Sequence, residues 1–387
     1  MRRLAALASA AVITAGGLTA CSDDGGDEPG GTVTATPQSE SPLSATPSPT
    51  ASSASPGKDT TAPKVVGTIA TGLEAPWGIG FLPNGDAIVT ERDTTKVLLL
   101  KSPSYDVREV GTIADAVGMG DLGGEAGLLG VAVSPDFQTD RTLFFYYSTD
   151  TENRIAKATL EGGALGRPTT ILDGIPHGQI HDGGRLAFGP DGYLYASTGE
   201  TGSSELAQDK GTTAGKILRI TTDGDPAPGN PIKGNPLWSY GHRNVQGLAF
   251  DDRDRLWASE FGQNRYDELN LITRGGNYGW PMVEGMGSGD SSLEDPQVVW
   301  DTDEASPSGL AWLDGNLWMA SLKGQRLWRV DVTGKRAKHP TDFFVGKYGR
   351  MRTVAVAPDG NLWVTTSNTD GRGDPASEDD RILLIEP

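Results

Sequence analysis

The sequence predicts an all-β fold: a six-bladed β-propeller with four-stranded antiparallel blades. Two observations carry that expectation. A turn-and-strand pattern recurs six times, and no segment between the copies offers a long apolar stripe of helical period. The pattern is a small turn of Pro, Asp or Asn with Gly, followed by a short apolar strand that ends in small polar residues. It reads Pro83-Asn84-Gly85-Asp86 before Ala87-Ile88-Val89-Thr90, and Pro190-Asp191-Gly192 before Tyr193-Leu194-Tyr195-Ala196-Ser197. Clean copies return at Asp314-Gly315-Asn316 and Pro358-Asp359-Gly360-Asn361. A degenerate copy runs from Asp251 to Ser259, and a sixth, Ser134-Pro135-Asp136-Phe137, leads into Leu143-Phe144-Phe145-Tyr146-Tyr147.

Each element has a physical reason. Asp-Gly and Asn-Gly supply the positive-φ positions of tight hairpin turns. The residues before each turn form an apolar run as well, as in Trp77-Gly78-Ile79-Gly80-Phe81 and Thr353-Val354-Ala355-Val356-Ala357. Sandwiches and β-helices also use short strands, but six copies spaced by roughly 45 to 60 residues read as six blades. A closed ring removes most free sheet edges and gathers the connecting loops at one end of a central channel.

The N-terminus reads as an address. Arg2 and Arg3 precede a short apolar run that ends in Leu18-Thr19-Ala20-Cys21. A basic start, an apolar stretch and small residues at the cut make a secretory signal over residues 1–20. A cysteine at that cut resembles a bacterial lipobox, so Cys21 is the expected site of lipidation. The apolar run is too short for a spanning helix. Residues 21–63 then form a Ser/Thr/Pro-rich linker, with no aromatic residue before Trp77. Such a segment buries too little surface to offset its ordering entropy. Residues 64–387 are the propeller. The expected location is extracytoplasmic, anchored to the cell membrane. With one cysteine, no disulfide forms within the chain. The formal net charge of -18, without a basic stripe, argues against nucleic acid as a partner.

Four loops hold the candidate chemistry. In Gly178-Gln179-Ile180-His181-Asp182-Gly183-Gly184-Arg185, His181 sits before a strand, where an imidazole can take a proton near neutral pH. His177 lies four residues earlier, but Pro176 and the glycines oppose the helix that a metal-binding pair needs. The other loops are Tyr240-Gly241-His242-Arg243-Asn244-Val245-Gln246, Ser321-Leu322-Lys323 and Tyr348-Gly349-Arg350-Met351-Arg352. All four fall at equivalent blade edges. Cations gathered there in an acidic chain suit a small anionic ligand or a polycarboxylate cofactor.

These segments carry a resemblance. Gly124-Glu125-Ala126-Gly127-Leu128-Leu129-Gly130, the His181 loop, Gly241-His242-Arg243-Asn244, Glu260-Phe261-Gly262-Gln263-Asn264, Asp267-Glu268-Leu269-Asn270 and Gly275-Gly276-Asn277-Tyr278-Gly279-Trp280-Pro281 together resemble the soluble quinoprotein glucose dehydrogenases, the glucose/sorbosone dehydrogenase family. That family is a six-bladed propeller binding pyrroloquinoline quinone (PQQ) with calcium. The resemblance implies that His181 takes the proton of a sugar hydroxyl while hydride passes to the quinone. The sugar is then an aldose, oxidised at its anomeric carbon to a lactone, and an external acceptor collects the electrons. Arg243 matches the arginine at the quinone carbonyls, and Asn244 its neighbour. Glu125, Lys323, Arg350 and Arg352 match cofactor contacts. Gly262 and Gln263 match carbonyl ligands of the cofactor calcium, and Asp267, Glu268 and Tyr278 a structural calcium site; calcium takes such hard oxygen donors.

Three departures set further expectations. Glu125 stands where the glucose enzyme has glutamine, which adds negative charge beside a polyanion. Ile180 replaces the aspartate before the base, and Asp182 faces elsewhere if the loop is extended. Shorter loops imply a more open pocket, for larger or different aldoses. Two other functions are open on the same fold: a non-catalytic propeller displaying a glycan or protein site, and a calcium-dependent lactone or ester hydrolase.

Overall fold

The structure is a computed structural model in which residues 62–118 and 124–387 are described. The signal segment, Cys21 and nearly all of the linker lie outside the described residues.

The six copies become six sheets. The first blade comprises Pro76–Phe81, Ala87–Glu91, Lys96–Lys101 and Asp106–Thr112. The second comprises Leu128–Val133, Thr142–Ser148, Asn153–Glu161 and Thr169–Ile175, with an added two-residue strand, Ala164–Leu165. The third uses Leu186–Phe188, Leu194–Ser197, Lys216–Ile220 and Leu237–Tyr240. The fourth uses Val245–Phe250, Leu256–Glu260, Tyr266–Ile272 and Val298–Asp301. The fifth uses Pro307–Leu313, Asn316–Ser321, Arg326–Thr333 and Arg336–Phe343. The sixth takes Met351–Val356, Leu362–Thr366 and Ile382–Glu386, and its outermost strand is Lys64–Ala70. The start of the domain therefore pairs antiparallel with its end, Lys64 opposite Glu386 and Ala70 opposite Ile382, and locks the ring.

Every copy of the pattern is the turn between the innermost strand and the next. The same hydrogen bond closes it from Leu82 to Asp86, Gly189 to Tyr193, Asp251 to Arg255 and Ala357 to Asn361. Gly85, Gly192, Gly315 and Gly360 take φ of 78 to 86° there, and Asp254 takes 60° in the degenerate copy. In the second blade the turn instead becomes one turn of helix, Phe137–Asp140, with Phe137 buried.

The second strands are covered on both sides by neighbouring blades and are buried almost throughout, as at Ala87–Glu91 and Leu256–Glu260. Outer strands such as Asp106–Thr112 are mostly exposed. The apolar core is correspondingly split into six clusters among the described residues, one between each pair of adjacent blades. Trp257, Trp318 and Trp363 hold equivalent places in the second strands of three blades, each at most 2% exposed.

Candidate active site

The inner strands all run from one end of the ring to the other in the same sense. Trp77, Leu129, Gln246, Ser306 and Arg352 line a pocket at the end where these strands begin. Ile79, Val131, Leu248, Leu310 and Val354 line a second cavity further along the same strands. The loops singled out in the sequence converge on the first pocket.

His181 is held by its backbone and its ring together. It adopts φ of 61°, its amide donates to Glu125 Oε2 at 3.0 Å, and its carbonyl accepts from Thr201. Gly199 permits the close approach: a Cβ there would lie 1.8 Å from the His181 carbonyl oxygen. In the ring, Nδ1 is paired with the buried Glu200 carboxylate by a very short hydrogen bond. That assigns the Nδ1-protonated tautomer and leaves Nε2 as the basic nitrogen. Nε2 has no hydrogen-bond partner among the described residues.

Glu125 ties four blades together. Oε2 accepts from His181 and, at 3.4 Å, from Asn244 Nδ2, while Oε1 accepts from Arg372 Nη1 at 3.2 Å. Burial works against its charge, but the His181 amide and Arg372 outweigh burial, and its pKa lies below the usual carboxylate value. The charge expected to burden an anion site is thus matched by Arg372, a residue the sequence reading missed. Asn244 Oδ1 accepts from the Gly183 amide at 3.1 Å.

Arg243 is clamped along its main chain, where its amide donates to Glu260 Oε1 and its carbonyl accepts from Glu200. Its Nη1 donates to the carbonyls of Phe261 and Gly262, and its guanidinium lies 5.5 Å from the Trp280 ring. Burial lowers its pKa against the pull of Glu200, Glu125, Glu260 and Glu284. Its Nε is buried without a partner. Neighbouring His242 is wholly buried between Glu260 and Ser239 and stacks on Tyr278 at 4.6 Å, so it shapes the site without reaching it.

Arg350 and Arg352 share the single carboxylate of Asp370, at 3.1 and 3.5 Å. Burial pushes Arg352 down to about 9, and Arg92 adds repulsion. Lys323 lines the same pocket, although it is largely exposed and paired with Asp303. Asp182 also lines it, and its Oδ2 is buried without a partner. The expectation that Asp182 faces elsewhere assumed an extended loop, and the left-handed backbone at His181 removes that premise. Two guanidiniums on one carboxylate, an unpartnered Arg243 Nε and a fully committed Glu125 make a pocket with positive charge to spare. These residues fit a planar polyanionic cofactor.

The proposed calcium residues are less convergent. Asp267 and Glu268 are successive strand residues and face opposite ways. Asp267 accepts from the amides of Gly262 and Ser306, and burial pushes it up to about 6. Glu268 accepts from Gly285 and Asn270; burial and nearby Glu260 push it up to about 8. The Tyr278 hydroxyl is spent on Thr273 and Leu271. Asp267, Glu268 and Tyr278, expected at one structural calcium site, therefore spend their oxygens on different partners. Among the described residues no group of three or more His, Cys, Asp or Glu side chains is arranged to hold a metal. Oxygen donors do gather at Glu268, beside Glu260 and the unpartnered Asn270 Oδ1. The Gly262 carbonyl is also available, shared with Arg243.

Residues 73–383 match the family described as glucose/sorbosone dehydrogenase. The chain belongs to that family. This glucose/sorbosone dehydrogenase family member is 51% identical to a structure of the PQQ-bound form of the aldose sugar dehydrogenase of Streptomyces coelicolor, with 84% of this chain and 98% of that one covered at a TM-score of 0.81. It is 33% identical over 251 residues to quinoprotein glucose dehydrogenase B of Acinetobacter calcoaceticus, covering 56% of this chain and 52% of that protein. It is 28% identical over 340 residues to the aldose sugar dehydrogenase of Escherichia coli (strain K12), covering 77% and 89%.

Glu200, Arg372, Gln246 and Arg185 escaped the sequence reading as functional residues. A signal for Glu200 existed: Glu91 and Glu260 end repeated second strands, and Glu200 follows another by three residues, after Ser197-Thr198-Gly199.

Proposed function

We propose that this chain is a PQQ-dependent oxidoreductase that oxidises an aldose sugar at its anomeric carbon, giving a lactone. The observation that carries the proposal is His181, oriented by Glu200 and tied through Glu125 to a pocket walled by arginines. When bound, the quinone supplies the two-electron acceptor that no side chain provides. The chain's own residues do the rest. His181 Nε2 takes the proton of the anomeric hydroxyl, and the Glu200 carboxylate stabilises the imidazolium that results. Arg350 and Arg352 would hold carboxylates of the cofactor, and Arg243 and Asn244 would lie beside its oxygens and favour negative charge there. Loss of two hydrogens from the anomeric C–H and O–H leaves the ring lactone, and the electrons pass on to an external acceptor.

Calcium belongs to the same proposal at two places, the Gly262 and Gln263 carbonyls with the cofactor, and the oxygen cluster around Glu268. Lipidation of Cys21, with the propeller held outside the membrane on a linker, completes it. Metabolic labelling with a fatty acid tests that anchor, since Cys21→Ala abolishes incorporation. The function itself is tested by dye-linked oxidation of a panel of aldoses after loading with PQQ and calcium. No activity and no cofactor spectral change would exclude it.

A further inference from the structure

Arg185 is a buried charge without an acid. The residue is 8% exposed, and no carboxylate lies within ion-pair distance among the described residues. Its Nε donates to the Gln246 carbonyl at 2.8 Å, and its Nη2 to the Thr353 hydroxyl at 3.1 Å. Its guanidinium stacks on the Trp77 ring at 4.1 Å. Burial and the neighbouring Arg352 push its pKa down to about 9.

Its position is specific. Trp77 and Gln246 line the cofactor pocket, whereas Arg185 lines the cavity further along the channel, among Ile79, Val131, Leu248 and Leu310. It therefore stands between the two cavities, touching residues that line the first. An apolar side chain would suit that channel wall without desolvating a charge, and an isolated buried charge is expensive. Gln246 joins this charge to the site, because its carbonyl accepts from Arg185 and its Oε1 accepts from Arg352 at 3.3 Å.

We propose that Arg185 is an electrostatic and positioning residue at the base of the cofactor pocket, whose unpaired charge strengthens binding of the anionic quinone and favours its electron-rich reduced form. The inference rests on the PQQ reading above. Preorganised charge acts most strongly where water is excluded and where negative charge develops. Stability given up in the cofactor-free protein is a common companion of such a site.

The test uses purified wild type, Arg185→Met, Arg185→Gln and Arg185→Lys. PQQ affinity is read by fluorescence titration, the midpoint potential of bound PQQ by spectroelectrochemistry, and the melting temperature without cofactor by calorimetry. Arg185→Met is expected to bind PQQ about tenfold more weakly. It is expected to favour the reduced form about tenfold less, a fall of ~30 mV for a two-electron couple. Its cofactor-free melting temperature should be no lower than wild type, and Arg185→Lys should recover most of the potential. Arg185→Gln gives the same readouts if the methionine variant does not fold. A structural plug shows the reverse: a lower melting temperature with unchanged affinity and potential, which overturns the inference. Wild type that binds no PQQ overturns the proposed function instead.

Discussion

Glu200 holds Nδ1 of His181, and the main chain on which Glu200 sits also bonds the carbonyl of Arg243. One loop therefore sets the tautomer of the base and the position of the arginine beside it. Glu200→Gln keeps the shape and removes the charge that stabilises the imidazolium. It should lower turnover by roughly 100-fold, and His181→Ala by at least as much, since both act on proton transfer. PQQ affinity, measured by titration, should be nearly unchanged in both. Equal loss of affinity in the two variants would refute this division of roles.

Arg350→Ala should act on binding first. It removes a charge-assisted contact from a wall where two guanidiniums already share Asp370. Affinity for PQQ should fall about tenfold or more, with turnover of the fully loaded enzyme less affected. A variant with normal affinity and low turnover would place Arg350 in the chemistry instead.

Glu125 and Arg372 should behave as a coupled pair. Arg372→Met leaves the Glu125 carboxylate unopposed beside an anion, and PQQ binding should weaken about tenfold. Glu125→Gln added to that variant should restore most of the loss. A double-mutant cycle on PQQ affinity measures the coupling directly; simple additivity of the two changes would show that the contact has no role in binding.

Glu268 gives a stability test. Its pKa is raised in the folded state from 4.5 to about 8, by burial and by Glu260. Folding thus favours its protonated form. The associated stability is fully present below the unfolded value and is lost as pH rises through the folded one. Asp267, raised to about 6, adds the same sign over the lower part of that window. In chelator, the cofactor-free protein should therefore melt progressively lower from about pH 4.5 to 8. Calcium should reverse the loss by binding the charged form. Glu268→Gln should flatten the slope and blunt the calcium response. Identical melting in calcium and chelator near pH 8 would remove calcium from this cluster.

Much of the fold was legible because the turns are local. Asp-Gly and Asn-Gly pairs announce four of the hairpins, and Asp254 shows why the degenerate copy still works. The closing strand Lys64–Ala70 was less visible: it is half exposed, has no turn signature and pairs across the whole chain with Ile382–Glu386. In the site, His181, Arg243, Arg350 and Arg352 stood out as rare groups in glycine-flanked loops. Their partners did not, since Glu200, Arg372 and Arg185 meet the site only through contacts made between blades. The positive φ at His181, which no residue type announces, means that the loop is not extended, and the Asp182 Oδ1 accepts from Asn153 and the Gly178 amide. Asp267, Glu268 and Tyr278 were grouped by resemblance, which carries no information on side-chain facing; strand alternation turns Asp267 and Glu268 apart.

The central claim is that His181 acts as the base of a quinone-dependent sugar oxidation. It is tested most directly by single-turnover reduction of bound PQQ by an aldose, followed by absorbance in wild type and His181→Ala. Wild type should reduce its cofactor on mixing with sugar, and His181→Ala, loaded to the same extent, should do so roughly 100-fold more slowly. Equal reduction rates in the two proteins, or a wild type that holds PQQ yet is reduced by no aldose, would contradict the account.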